Sequence, residues 1–146
     1  MAKELFCEDN IVLNAKFDNK WDAIRACGQI LVDGGYVTAD YIHGMLEREK
    51  VASVYLGNSL AIPHGVANSD KNILCSGISF LQIPKGVDFG DEVAQVMIGI
   101  AGKNNTHIEL LGNIALVCME LENMDILRTT NDKAQIVDML TNLKTE

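Results

Sequence analysis

The chain has 146 residues, 48% hydrophobic and 22% charged, which supports one domain over 1–146 with roughly 7,400 Å² of folded surface and excludes disordered, collagen-like and coiled-coil compositions. Twenty acidic against twelve basic residues leave a net charge of −8, which repels phosphate backbones and anionic lipid and makes nucleic acid an unsuitable partner. The longest apolar run, Ile114 to Met119, is far short of the ~20 residues of a membrane span, and the start Met1-Ala2-Lys3-Glu4 lacks the apolar region of a signal peptide, so a soluble, cytoplasmic protein is expected.

An extended piece at Ile11-Val12-Leu13 comes first. From Asn19 to Val32 the apolar residues Trp21, Ile24, Ala26, Cys27 and Leu31 fall at helical spacing and stop at Gly34-Gly35, which predicts a helix. Thr38 is placed to cap a second helix through Lys50, with Tyr41, Ile42, Met45 and Leu46 as its apolar stripe. Val54-Tyr55-Leu56, Ile73 to Gln82 and Val93 to Ala101 read as strands of one sheet, the last two long and rich in β-formers. Thr106-His107-Ile108-Glu109 has the form of a capping box, so a helix is expected to begin at His107 and carry Leu110, Leu111, Ile114, Leu116 and Val117. Two short helices follow over Asp125 to Arg128 and Asp132 to Leu143, the second with Ile136, Leu140 and Leu143 on one face. Helices before, between and after strands imply a layered α/β domain. Cys7, Cys27, Cys75 and Cys118 are widely spaced with no C-x-x-C pair, the pattern of reduced thiols in a cytosolic protein.

The chain has no G-x-x-x-x-G-K-[ST] loop, no G-x-G-x-x-G after a strand, no H-E-x-x-H and no G-x-S-x-G elbow. What remains is Gly57-Asn58-Ser59-Leu60-Ala61-Ile62-Pro63-His64-Gly65. Pro63 fixes its own φ and extends Ile62, and Gly65 permits close backbone approach, so His64 is expected on a stiff loop tip. Largely neutral at cytosolic pH, His64 has one ring nitrogen with a lone pair available for attack. A solvated or structurally bonded loop histidine is the competing interpretation.

His107, in the first turn of a helix after a strand, lies where backbone N–H groups and the helix dipole favour an anion. If both segments meet at one edge of the sheet, they form a nucleophile beside a phosphate-sized site. An exposed first-turn residue is the alternative for His107. Arg48 could hold a phosphoryl group or a partner carboxylate through its guanidinium, or simply close the end of its helix or pair with Glu47 and Glu49. His43 lies among polar helix positions and reads as surface. No ligand pair suggests a metal site, and no cofactor is expected. Leu60 and Ile62 are open to two readings, a contact core for a docking partner or burial beneath the loop.

These residues resemble the cytosolic IIA components of the sugar phosphotransferase system, of mannitol type within the fructose/mannitol/nitrogen group. Ser59-Leu60-Ala61-Ile62-Pro63-His64-Gly65 after Tyr55-Leu56-Gly57 carries the likeness. So do Gly34-Gly35-Tyr36-Val37, Met45 to Lys50, Phe89-Gly90 with Glu92, Gly99-Ile100-Ala101 and Asn104-Asn105-Thr106-His107-Ile108. The resemblance implies a mixed, mostly five-stranded sheet with helices on both faces. It implies that His64 takes a phosphoryl group from the phosphohistidine of HPr and passes it to a cysteine of a IIB domain serving mannitol or a related polyol. His107 would stabilise the phosphoryl group, and Arg48 would lie near it. A regulatory module of the same group, phosphorylated as a signal for docking, is the rival expectation.

Overall fold

The computed structural model describes residues 4–141. In chain order they form β1 (Ile11–Val12), α1 (Lys20–Asp33), α2 (Asp40–Val51), β2 (Tyr55–Gly57), β3 (Leu60–Ala61), β4 (Gly77–Asp88), β5 (Val93–Ala101), α3 (His107–Cys118), α4 (Leu121–Thr129) and α5 (Lys133–Thr141). The strands make one five-stranded sheet in the order β1-β4-β5-β3-β2. It is mixed: β4 is antiparallel to β5, β3 to β2, while β1 runs parallel to β4 and β3 parallel to β5.

The sheet separates two cores. On one face α1 and α2 press Ile24, Cys27, Leu31 and Met45 against Leu81, Ile83, Met97 and Ala101. On the other, Ile114, Cys118, Met124, Leu127, Ile136 and Leu140 of α3, α4 and α5 cover Phe80, Val96, Ile98 and Ile100. Successive β5 side chains thus alternate between faces, and because both faces are covered the strand reads as an apolar run. The α/β architecture with helices on both sides is the one expected.

Local chemistry accounts for the element ends. Asn19 caps α1 by accepting the Asp22 N–H, and Gly35 takes a left-handed φ of 82° where the helix stops. Two expected caps do not form. Ala39, not Thr38, precedes α2, and the Thr38 hydroxyl donates to Asn72 Oδ1 instead. Thr106 lies in the helical region, continuing the short 3-10 turn Lys103–Asn105, so its hydroxyl reaches back to the Lys103 carbonyl rather than capping α3.

The strand expected over Ile73–Gln82 is shifted: Ile73 makes only an isolated bridge to Val37, and β4 continues through Pro84. The register shift between Gln82 and Val87 accommodates the residue that has no N–H to give. β2 begins at Tyr55 rather than Val54, and α4 extends to Leu121–Thr129, beyond the four residues expected, with Met124 and Leu127 buried. Leu116 faces solvent at 75% exposure, so the apolar run of α3 is not all core. Leu143, expected on the buried face of α5, lies outside the described residues. Among the described residues no helix is long and apolar enough to cross a membrane, and all four cysteines are unbonded, Cys27 and Cys118 buried.

Candidate functional site

The segment read as a loop before His64 contains a strand. Asn58 and Ser59, both at positive φ, make the two-residue turn that joins β2 to β3, and the Asn58 amide donates to the Cys118 carbonyl at the end of α3. The two-residue β3 is then inserted parallel to β5, with Leu60 opposite Val96 and Ala61 opposite Met97. Leu60 and Ile62 are fully buried, which settles their two readings in favour of burial; they belong to the core under α3, not to a docking surface.

The topology places His64 just past the C-terminal end of β3 and His107 at the start of the helix that follows the C-terminal end of β5. Neighbouring parallel strands thus deliver both histidines to the same end of the sheet, the usual position of a crevice in α/β proteins. They meet at this end and not at an edge, since β2 lies outside β3. Their imidazole rings stack with centroids 6.5 Å apart and planes inclined by 25°.

Together with Arg48, Tyr41, Gly65, Ser69, Asp70 and Gly102 the rings line a cleft of about 170 Å³. Gly102 lets the helix start approach this closely: a β-carbon there would lie 2.1 Å from the His107 nitrogen. α3 begins at His107 beside this cleft, and the positive end of its dipole favours an anion there.

His64 is fixed at one nitrogen. Its Nδ1 lies 2.8 Å from the Ile62 carbonyl, and since a carbonyl only accepts, the proton sits on Nδ1. The neutral ring therefore has its lone pair on Nε2. Burial pushes the imidazole below its ordinary pKa of 6.5; the Ile62 bond opposes this, while the Arg48 charge and His107 reinforce it. The result is a neutral ring with one nitrogen anchored.

Arg48 reaches the cleft from the last turn of α2, where its Nη1 also donates to the Ala52 carbonyl at 2.6 Å. It thus closes its helix and lines the cleft at once, and it pairs with neither Glu47 nor Glu49. Glu47 faces Lys50, and the buried Glu49 is held by Lys20 at 2.9 Å and by the Val54 N–H. His43 is exposed and outside the cleft. Among the described residues no three His, Cys, Asp or Glu side chains converge as metal ligands.

Sequence reasoning missed Tyr41 as a cleft residue, taking it for part of an apolar stripe. Its ring is indeed buried, but the hydroxyl donates to the Ile100 carbonyl and accepts the Gly65 N–H, both at 2.9 Å. A tyrosine in an aliphatic stripe was the available signal, because a buried hydroxyl must find partners. Ser69 and Asp70, from the short turn over Ala67–Asn72, carried no signal of their own.

The family described as "Phosphoenolpyruvate-dependent sugar phosphotransferase system, EIIA 2" matches residues 4–143. The mannitol-specific phosphotransferase enzyme IIA component of Geobacillus stearothermophilus is 48% identical over 141 residues, covering 96% of this chain and 97% of the relative. Among solved structures, the complex of enzyme IIA-mannitol with phosphorylated enzyme IIB-mannitol from Escherichia coli superposes with a TM-score of 0.88 at 36% identity, covering 93% of this chain and 96% of the other. The crystal structure of IIA mannitol from the same organism gives a TM-score of 0.87 at 37% identity, over 92% and 98% of the two chains.

Proposed function

Given that the chain belongs to the EIIA 2 family of the phosphoenolpyruvate-dependent sugar phosphotransferase system, of which it is a phosphotransferase component, we propose that it carries a phosphoryl group on His64 from phospho-HPr to the IIB cysteine of a transporter for mannitol or a related polyol. The observation that carries this reading is the Nδ1–Ile62 hydrogen bond, which assigns the lone pair of a neutral His64 to Nε2 within the cleft. The mannitol names of relatives close to half identical to this chain support the sugar class, and the IIB-bound structural neighbour supports the acceptor.

The Nε2 lone pair attacks phosphorus in line as the donor's P–N bond breaks, and that bonding pair returns to the donor imidazole. Negative charge spreads over the three equatorial oxygens during the passage. His107 beside the nucleophile, the positive end of α3 and the Arg48 guanidinium supply the positive field those oxygens need. The second step is the same displacement with the IIB thiolate as nucleophile: an S–P bond forms, and the N–P bond breaks with its pair returning to Nε2. Donor and product of the first step are both phosphohistidines, so that step is close to balanced and reversible.

The net charge of −8 favours partners with basic surfaces around their reacting groups and speeds their encounter. The four unbonded thiols suit work on the reducing, cytoplasmic side of the membrane. The test is to incubate the chain with phosphoenolpyruvate, enzyme I and HPr, map the acid-labile phosphate by mass spectrometry, and then add a mannitol IIB domain. Label on His64 that leaves for IIB is expected. Label that stays on His64 would favour the regulatory module, and absence of label would overturn both.

A further inference from the structure

The backbone on both sides of His64 is tied to one residue of β5. The Ile100 N–H donates to the Pro63 carbonyl at 3.0 Å. The Ile100 carbonyl accepts from the Tyr41 hydroxyl, and that oxygen accepts the Gly65 N–H. The peptide group before the histidine is therefore clamped to the sheet directly, and the one after it through a side chain of α2. We infer that Tyr41 is a positioning residue for phosphoryl transfer, its hydroxyl bridging Ile100 and Gly65 so that Nε2 of His64 is held on the line of attack. This rests on His64 being the phosphoryl acceptor.

The bridge has a fixed polarity. A carbonyl cannot donate, so the single hydroxyl proton is committed to Ile100 and only lone pairs face the Gly65 N–H. Burial raises the tyrosine pKa to about 12, so the proton stays in place across the physiological range. The ring does the packing: a β-carbon at Gly65 would lie 2.7 Å from a ring carbon of Tyr41 and 2.8 Å from the Ser69 β-carbon. Phenylalanine would fill that volume equally, so what the hydroxyl adds is the bridge. Because Nδ1 is anchored to Ile62, the imidazole can turn only if the segment from Ile62 to Gly65 moves. Fixing Gly65 removes that freedom, and small displacements of a nucleophile are costly in rate.

Tyr41→Phe tests this by deleting one oxygen. In single-turnover transfer from phospho-HPr, the saturating rate is expected to fall about tenfold or more while the half-saturating donor concentration stays within about twofold. The ¹⁵N shifts of the His64 ring, those of one Nδ1–H tautomer in the unaltered protein, should move toward a tautomer average. Tyr36→Phe serves as control: that hydroxyl accepts from Asn10 and donates to the Glu4 carbonyl, away from the cleft, and its loss should lower stability and leave the rate unchanged.

A folded Tyr41→Phe protein with an unchanged saturating rate, or with only a raised half-saturating concentration, overturns the proposal while a labelled His64 keeps the carrier function standing. An unlabelled His64 in the unaltered protein overturns both. If the variant does not fold, hydrogen exchange at Gly65 of the unaltered protein decides: strong protection supports the bridge, and free exchange overturns it.

Discussion

The cleft at the C-terminal ends of β3 and β5 and the interior around Gln82 both contain polar side chains in a largely apolar protein, and they treat them in opposite ways. Gln82, 2% exposed, has its amide nitrogen on the Leu127 and Thr130 carbonyls and its oxygen on the Asn14 N–H. Those bonds tie the end of α4 and the segment after β1 to β4. In the cleft, His64 is bonded at Nδ1 and no described residue bonds Nε2. Arg48 spends one nitrogen on Ala52 and still lines the space in front of the histidines. A polar group whose bonds are all taken by the chain holds architecture; one left half-taken beside a cavity is available for chemistry.

The sharpest break of this contrast is at His64. If His64 is the phosphoryl acceptor proposed above, His64→Ala should abolish acid-labile phosphorylation, read by mass spectrometry; retained label would place the chemistry elsewhere. His107→Ala should leave His64 as the modified residue but slow its phosphorylation by about 10²–10³-fold, the usual loss for one group stabilising developing charge. Rapid-quench measurement of the transfer checks this, and an unchanged rate would reduce His107 to an exposed helix-start residue.

The Gln82 region should respond in the other currency. Gln82→Leu leaves the Leu127 and Thr130 carbonyls and the Asn14 N–H without their partner, which should cost about 2–3 kcal/mol in urea unfolding. Its transfer rate should stay within about twofold of the unaltered protein. A large loss of rate without loss of stability would erase the distinction between the two regions.

The smallest expected effect is in pH. Since the folded His64 pKa lies below 6.5, the ring stays neutral as pH falls to that value, and phosphoryl acceptance should decline only below it. The unfolded chain binds a proton at His64 more readily than the folded one, so stability rises with pH across the window between the folded pKa and 6.5 and is lost as pH falls through it. Gln82 has nothing to titrate, so Gln82→Leu should keep the same pH–rate profile, with the profile as the measurement.

How much of this was legible in the sequence differs between scaffold and site. Asn19 and Gly34-Gly35 marked α1 correctly because caps act locally, and the β-formers from Val93 to Ala101 marked the long strand β5. β3 was missed because two residues carry no periodicity; Asn58 and Ser59 at positive φ and the parallel partner β5 define it, and neither is visible without the third dimension. The strand expected to stop at Gln82 continues through Pro84, since a bulge removes the need for its N–H. His64 and His107, singled out by the Pro63–Gly65 setting and by a helix start after a strand, line one cleft, at the end of the sheet and not at the edge expected, and Arg48, which those signals did not place, lines it too. Tyr41 was legible only as core, because the partners of its hydroxyl, Gly65 and Ile100, lie far along the chain.

The central claim is that Nε2 of His64 carries the phosphoryl group while Nδ1 keeps its proton for Ile62. It is tested most directly by ¹⁵N and ³¹P NMR of the histidine-labelled protein during phosphorylation by the phosphoenolpyruvate relay. A phosphorus–nitrogen coupling at Nε2 of His64, with Nδ1 protonated before and after, is the predicted result. Coupling at Nδ1, or at any other residue, would contradict the account.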